Sequence, residues 1–154
     1  MNEKPATRDS QVTLREITWE TVPTILRLDV MENQKKFVAP NAFSISEAYF
    51  EPKAWFRAIY ADETPVGFIM LYDDPDEPVY FLWRLMVDSR YQGLGFGRRA
   101  VELLETYVRG RPGAKELVVS YVPEEGGPEV FYRKLGFVPT GEMDGDEVVA
   151  SKVL

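Results

Sequence analysis

Hydrophobic and polar positions follow two periods along this chain, and each period predicts a kind of element. Val12-Thr13-Leu14-Arg15-Glu16-Ile17 alternates with period two and predicts a strand. Thr18 is placed to cap a helix over residues 19–30, with Val22, Ile25 and Leu26 on its apolar side and Pro23 tolerated near the first turn. Ser44-Ile45-Ser46-Glu47 has capping-box spacing and opens a short helix through Phe50. Strands are predicted over 54–61 and 66–72, joined by a turn at 62–65. An acidic, proline-bearing turn at 73–78 leads to a long aromatic-rich strand over 79–87. Beyond a glycine-rich stretch, Ala100, Val101, Leu103, Leu104, Tyr107 and Val108 recur at helical spacing until Gly110, Pro112 and Gly113 end the helix near Arg109. A strand at 117–122, a short helix at 129–135 begun by Pro128 and stopped by Gly136, and closing strands at 137–138 and 148–154 complete the pattern. Residues 1–11 read as a disordered arm and 12–154 as one mixed α/β domain.

Composition narrows the chemistry. The 154 residues include no histidine and no cysteine. That excludes a Ser-His-Asp triad, an imidazole base, a thiolate nucleophile and the usual zinc sets, so no metal site is expected. Catalysis must rest on carboxylates, tyrosine, lysine, hydroxyls or backbone amides. With 25 acidic and 18 basic residues the net charge is −7, which argues against a nucleic-acid partner. The same charge suits a cationic ligand, and equally serves solubility alone. No apolar run reaches membrane-spanning length and the first residues carry no hydrophobic signal stretch, so a cytoplasmic location without a membrane partner is expected.

The candidate chemistry sits in Arg90-Tyr91-Gln92-Gly93-Leu94-Gly95-Phe96-Gly97-Arg98-Arg99, between a strand and a helix. Glycines allow a sharp turn and close backbone approach, and the free amides of the following helix suit a phosphate. Arg98 and Arg99 add positive charge. A turn that only packs helix on sheet would use the same glycines. The dinucleotide fingerprint fails, because its last glycine would fall on Arg98, and the Gly-Lys-Ser/Thr ending of a P-loop is absent.

The spacing Gln92-x-x-Gly95-x-Gly97 resembles the acyl-coenzyme-A signature of the GNAT N-acetyltransferase superfamily. Phe131-Tyr132-Arg133-Lys134-Leu135-Gly136-Phe137 is similar to that family's C-terminal Tyr-x-Lys-x-Gly-Phe segment. The element order over residues 12–154 also matches the family. Phe37-Val38-Ala39-Pro40-Asn41 and Trp83-Arg84-Leu85-Met86-Val87-Asp88 resemble bacterial spermine/spermidine acetyltransferases in particular. The resemblance implies a GNAT fold: one mixed, mostly antiparallel sheet flanked by about four helices. It implies acetyl-coenzyme A as cofactor, held by Leu85, Met86 and Val87 on the strand, by Gln92, Gly93, Leu94, Gly95, Phe96, Gly97 and Arg98 in the loop, and by Phe131 and Lys134. It implies direct transfer of acetyl to a primary amine, with Tyr132 protonating the departing thiolate. Many family members carry an Asn seven residues before this tyrosine and an Ala four before it; here Glu125 and Pro128 stand there.

The remaining roles are open. Glu32 is the favoured catalytic base, with Glu47 or a chain of waters as the other candidates. A polyamine acceptor wants carboxylates and rings. Asp73, Asp74, Asp76 and Glu77 offer charge, and Tyr49, Trp55, Tyr80 and Trp83 offer rings, with Trp83, Arg84 and Tyr49 the favoured substrate contacts. The alternative acceptor is an amino acid, peptide or other small amine, and Arg84, which would repel a polyamine unless it pairs with Asp88 or another acid, would favour those that bear a carboxylate. A non-catalytic acyl-coenzyme-A-binding module is the alternative of a different class. A homodimer is a further possibility.

Overall fold

Seven strands form one sheet in the order β1-β2-β3-β4-β5-β7-β6, as described by a computed structural model covering residues 5–154. The strands are β1 (Val12–Arg15), β2 (Ala54–Ala61), β3 (Thr64–Asp74), β4 (Val79–Val87), β5 (Glu116–Tyr121), β6 (Val138–Asp144) and β7 (Glu147–Val153). All neighbouring pairs are antiparallel except β4–β5. The four helices are α1 (Val22–Arg27), α2 (Asn41–Phe50), α3 (Phe96–Arg109) and α4 (Glu129–Lys134). Strand alternation divides the core into two faces. Ile59, Ala61, Ile69 and Leu71 pack with Phe96, Val101 and Leu104 of α3 on one face. Ala58, Tyr60, Phe68 and Met70 pack with Ile25 of α1 and the flank of α2 on the other.

Several predicted boundaries move, each for a local reason. Ser10 is buried and its carbonyl accepts from the Arg99 guanidinium at 2.7 Å, so residues 7–11 of the expected arm are docked on the domain; residues 1–4 lie outside the described part. Thr18 caps nothing: its amide donates to the Thr21 hydroxyl at 2.9 Å, and α1 begins only after Thr21, with Pro23 in its first turn. The helix is also short, because Leu28 turns extended and the Asp29 amide donates to Asp88 Oδ2 at 3.0 Å. Pro40 stands at the N-cap of α2, starting that helix before the Ser44 box. Ser44 is therefore an interior, buried residue rather than a cap. Asn41 joins the two helices by donating to the Ile25 carbonyl at 2.9 Å. Asp73 and Asp74 extend β3 rather than forming a turn, and the last hairpin is longer than expected, β6 reaching Asp144.

Two irregularities in β4 shape the functional region. Met70 pairs with Arg84 and Leu71 with Leu82, leaving Trp83 as an extra residue, a β-bulge. Beside it, β4 and β5 keep register only at Phe81–Val118 and Leu82–Val119. Beyond Leu82 the two strands splay, and the β5-facing backbone of β4 from Trp83 to Val87 has no strand partner there.

Candidate active site

The chain leaves β4 through a braced turn. Asp88 is buried and accepts from the Arg90 amide at 3.0 Å, the Arg90 guanidinium at 2.8 Å and the Asp29 amide. Burial alone would raise the Asp88 carboxyl, but Arg90 and these amides outweigh it and hold it below the usual carboxylate range. Gly93 and Gly95 then adopt φ of +78° and +84°, a left-handed conformation that a side chain would strain. Gly95 is the N-cap of α3, so the first amides of that fourteen-residue helix face outward with the positive end of its dipole. Gly97 lies in the first turn of α3 against the Phe131 ring and Val87, where a Cβ would make ordinary contacts at 3.4 and 3.6 Å. Gln92 donates to the Val87 carbonyl at 2.9 Å and exchanges amide hydrogen bonds with Gln34. Arg99, expected to add charge at the loop, instead turns back to the carbonyls of Leu94, Gly95 and Ser10.

The splay between β4 and β5 opens into a cavity of about 1030 Å³. One end is walled by the α3 loop, from Gln92 to Arg98, and by Gly126, Gly127, Pro128 and Phe131. Tyr132 of α4 projects from the middle wall. Its ring stacks on Tyr121 at 5.9 Å and meets Phe131 and Phe137 edge-on, so its position is set by packing. The residue is 7% exposed, yet its hydroxyl makes no hydrogen bond among the described residues. Burial pushes its pKa well above the ordinary tyrosine value, so it is protonated at neutral pH. Tyr107, a half-buried residue of α3, contrasts with it: the hydroxyl donates to Asp73 at 2.6 Å, and burial together with that carboxylate pushes it up to about 12.

The other end lies on the α1/α2 face, with Phe81, Trp83, Arg84, Met86, Ser120, Asp144 and Glu147 in its wall. Segment 30–40 roofs both ends. Gln34 ties it to Gln92, Lys36 pairs with Glu124, and Phe37 packs against the backbone of Gly127. Arg84 donates to Glu47 of α2 at 2.9 Å, its cationic charge matched within the wall, while its Nε is buried without a partner.

Other expected residues fall elsewhere. Tyr49 is 84% exposed, packs on Phe50 and does not line the cavity. Glu32 is a solvated residue paired with Lys35, and Glu47 is engaged by Arg84, so neither reaches the cavity as a free base. Arg84 pairs with Glu47, not Asp88. Leu94 packs into the core and Lys134 and Glu125 stay outside the wall. Trp55 stacks on Tyr107 at 4.5 Å, and Tyr80 is buried with its hydroxyl on the Pro112 carbonyl. Asp73 serves Tyr107 and Arg111, and Asp74 serves Lys53; with Asp76 and Glu77 they lie outside the cavity. The structure adds Gln34, held there by Gln92, and Ser120, Asp144 and Glu147, which carry no local sequence signal because sheet order brings them to the wall.

A splayed parallel pair, a glycine loop capping a helix and an unpartnered tyrosine at the split define a site built for an acylated, phosphate-bearing cofactor. A model of the acetyltransferase (GNAT) family matches residues 13–137, and the chain belongs to that family. Its activity is acetyl-coenzyme-A-dependent N-acetyl transfer. A spermine/spermidine N(1)-acetyltransferase of Bacillus subtilis is 25% identical over 154 residues, covering 92% of this chain and 99% of the relative. An L-2,4-diaminobutyric acid acetyltransferase of Streptomyces avermitilis is 34% identical over 64 residues, 41% of this chain and 36% of the relative. The PaiA N-acetyltransferase of Thermoplasma acidophilum, solved in complex with coenzyme A, superposes with a TM-score of 0.70 at 18% identity, covering 94% of this chain and 99% of that one. A GNAT acetyltransferase of Elizabethkingia anophelis with acetyl-CoA bound gives 0.68 at 15%, covering 93% and 98%. These likenesses agree in fold. The residues present suit the cofactor: outward amides at the α3 N-terminus for phosphates, unpaired β4 backbone for its amide-bearing arm, and the free Tyr132 hydroxyl at the split. Bound there, it supplies an activated acetyl thioester. Among the described residues no helix is long and apolar enough to cross a membrane.

Proposed function

We propose that this enzyme acetylates a primary amine of a small polycationic acceptor, entering from the α1/α2 face. The observation that carries the reading is the Arg84–Glu47 pair, which matches the charge of the cation on the β4 wall that would otherwise repel such an acceptor. Similarity to a spermine/spermidine N(1)-acetyltransferase along nearly the whole chain supports it. Tyr132 is proposed to donate its proton to the departing thiolate. Its neutral, unpartnered hydroxyl suits a donor, and the packing of its ring on Tyr121 in the cavity wall supports that role. The β4 amides at 85–87 and the loop at 92–98 are proposed to align the thioester carbonyl. With Glu32 and Glu47 otherwise engaged, the amine proton leaves through water. Acetyl passes directly to the amine, as a chain without cysteine lacks the usual covalent carrier.

A panel of spermidine, spermine, lysine and a peptide N-terminus, scored by release of free coenzyme A, tests the acceptor. Spermidine and spermine are expected to react. If they are inert while a carboxylate-bearing amine turns over, the acceptor is a diamino acid or peptide, as the local match to a diaminobutyric acid acetyltransferase would favour.

A further inference from the structure

Six charged residues line the cavity, and their pairing is one-sided. The four cations each have a carboxylate within ion-pair distance: Lys35 with Glu32 and Asp29, Lys36 with Glu124, Arg84 with Glu47, and Arg98 with Glu102. The two anions, Asp144 and Glu147, have no cationic partner among the described residues. Glu147 accepts only from the Ser120 hydroxyl, at 3.3 Å. Asp144 and Glu147 are register partners flanking the β6–β7 turn, so their side chains stand next to each other on one face. Like charges so placed repel unless a cation lies between them. A second, independent sign that this cavity takes a ligand is Tyr132, a residue more than nine-tenths buried that lines the same cavity and whose hydroxyl has no partner among the described residues.

We propose that Asp144 and Glu147 form the seat for a second ammonium group of the acceptor, remote from the amine that is acetylated. The inference rests on the reading of this protein as an acetyltransferase for cationic amines. The acceptor is then a diamine or polyamine whose methylene spacer runs along Phe81 and Trp83 toward Tyr132. Ser120 orients the Glu147 carboxylate. A monoamine of the same length loses the seat and its selectivity.

The test compares 1,4-diaminobutane with n-butylamine, in the wild type and in the D144N/E147Q double variant, by coenzyme A release. The wild type is expected to prefer the diamine in kcat/KM by about tenfold or more, the worth of a charge-assisted contact. In the double variant that ratio is expected to fall toward one, and a D144E control to retain it. A wild type without preference overturns the seat. A variant that keeps the preference overturns it too, while leaving polyamine acetylation standing. If no amine reacts at all, it is the acceptor reading that fails. The seat is then judged by the melting-temperature rise that spermidine gives the coenzyme-A-saturated protein at fixed ionic strength. No rise in the wild type, or a rise undiminished in the variant, overturns it.

Discussion

Removal of the Tyr132 hydroxyl separates its chemical role from its structural one. Tyr132→Phe keeps the ring that stacks on Tyr121 and meets Phe137, so packing is preserved. The hydroxyl leaves no partner behind, because it has none among the described residues. An unsatisfied buried hydroxyl costs about 1–3 kcal/mol. This one borders a cavity that admits water, so the recoverable part is the lower end, ~0–1 kcal/mol. For a chain of this size that is a melting-temperature change of about 0 to +4 °C. Turnover moves the other way: loss of a positioned general acid lowers kcat by about 10²–10⁴-fold. Coenzyme binding, followed by calorimetry, is expected to persist. Differential scanning fluorimetry and steady-state kinetics on the one variant read both quantities. A drop of several degrees would mean that the hydroxyl is a structural bond after all, and undiminished kcat would refute its role as acid.

Other perturbations probe the frame around it. A Cβ at Gly67 would lie 2.3 Å from the Met86 carbonyl oxygen, so Gly67→Ala forces β3 from β4 and is expected to cost roughly 2–3 kcal/mol, or 5–10 °C by thermal denaturation. The Arg84–Glu47 pair is mostly buried, with side chains 21% and 31% exposed. A double-mutant cycle with Arg84→Met and Glu47→Gln in urea should give a coupling of about 1–2 kcal/mol; strict additivity would contradict the pair. The Lys53 ammonium holds Asp74 below the ordinary carboxylate value, as Arg90 and backbone amides hold Asp88. Depressed folded-state values mean that this stability is present above about pH 4 and lost as pH falls through the folded-state values. Asp74→Asn should therefore flatten the fall in melting temperature below pH 4, and a variant as acid-sensitive as wild type would show that the pair contributes nothing.

The parts legible in the sequence were those governed by local periodicity and by backbone chemistry. Strand β1, helix α3 and the Gln92–Gly97 loop follow from residues adjacent in the chain. The start of α2 did not, because Ser44-Ile45-Ser46-Glu47 has the spacing of a cap while Pro40, four residues earlier, nucleates the helix first. The β4 bulge was hidden for a different reason: Phe81, Leu82, Trp83, Leu85, Met86 and Val87 form an almost unbroken apolar run in which a change of phase leaves no trace. Asp144-Gly145-Asp146-Glu147 reads as an ordinary polar turn. Only the order β5-β7-β6 brings Glu147 to Ser120. Arg84 was ambiguous because its partner is distant in sequence and supplied by another element.

The Trp83 bulge gives the acceptor wall a dependence on counting. In an unbroken strand Tyr80, Leu82, Arg84 and Met86 would share one face. With one residue added, Leu85 follows Tyr80 and Leu82 into the α3 core, and Arg84 and Met86 are handed to the α1/α2 face. Deleting Trp83 would leave Arg84 opposite Met70 and Leu85 opposite Ile69, whereas closing the bulge with every residue retained would turn the guanidinium toward the packed core and away from Glu47. The wall therefore depends on the phase of β4, and holding Trp83 out of register is as strict a requirement as the identity of any residue in the strand.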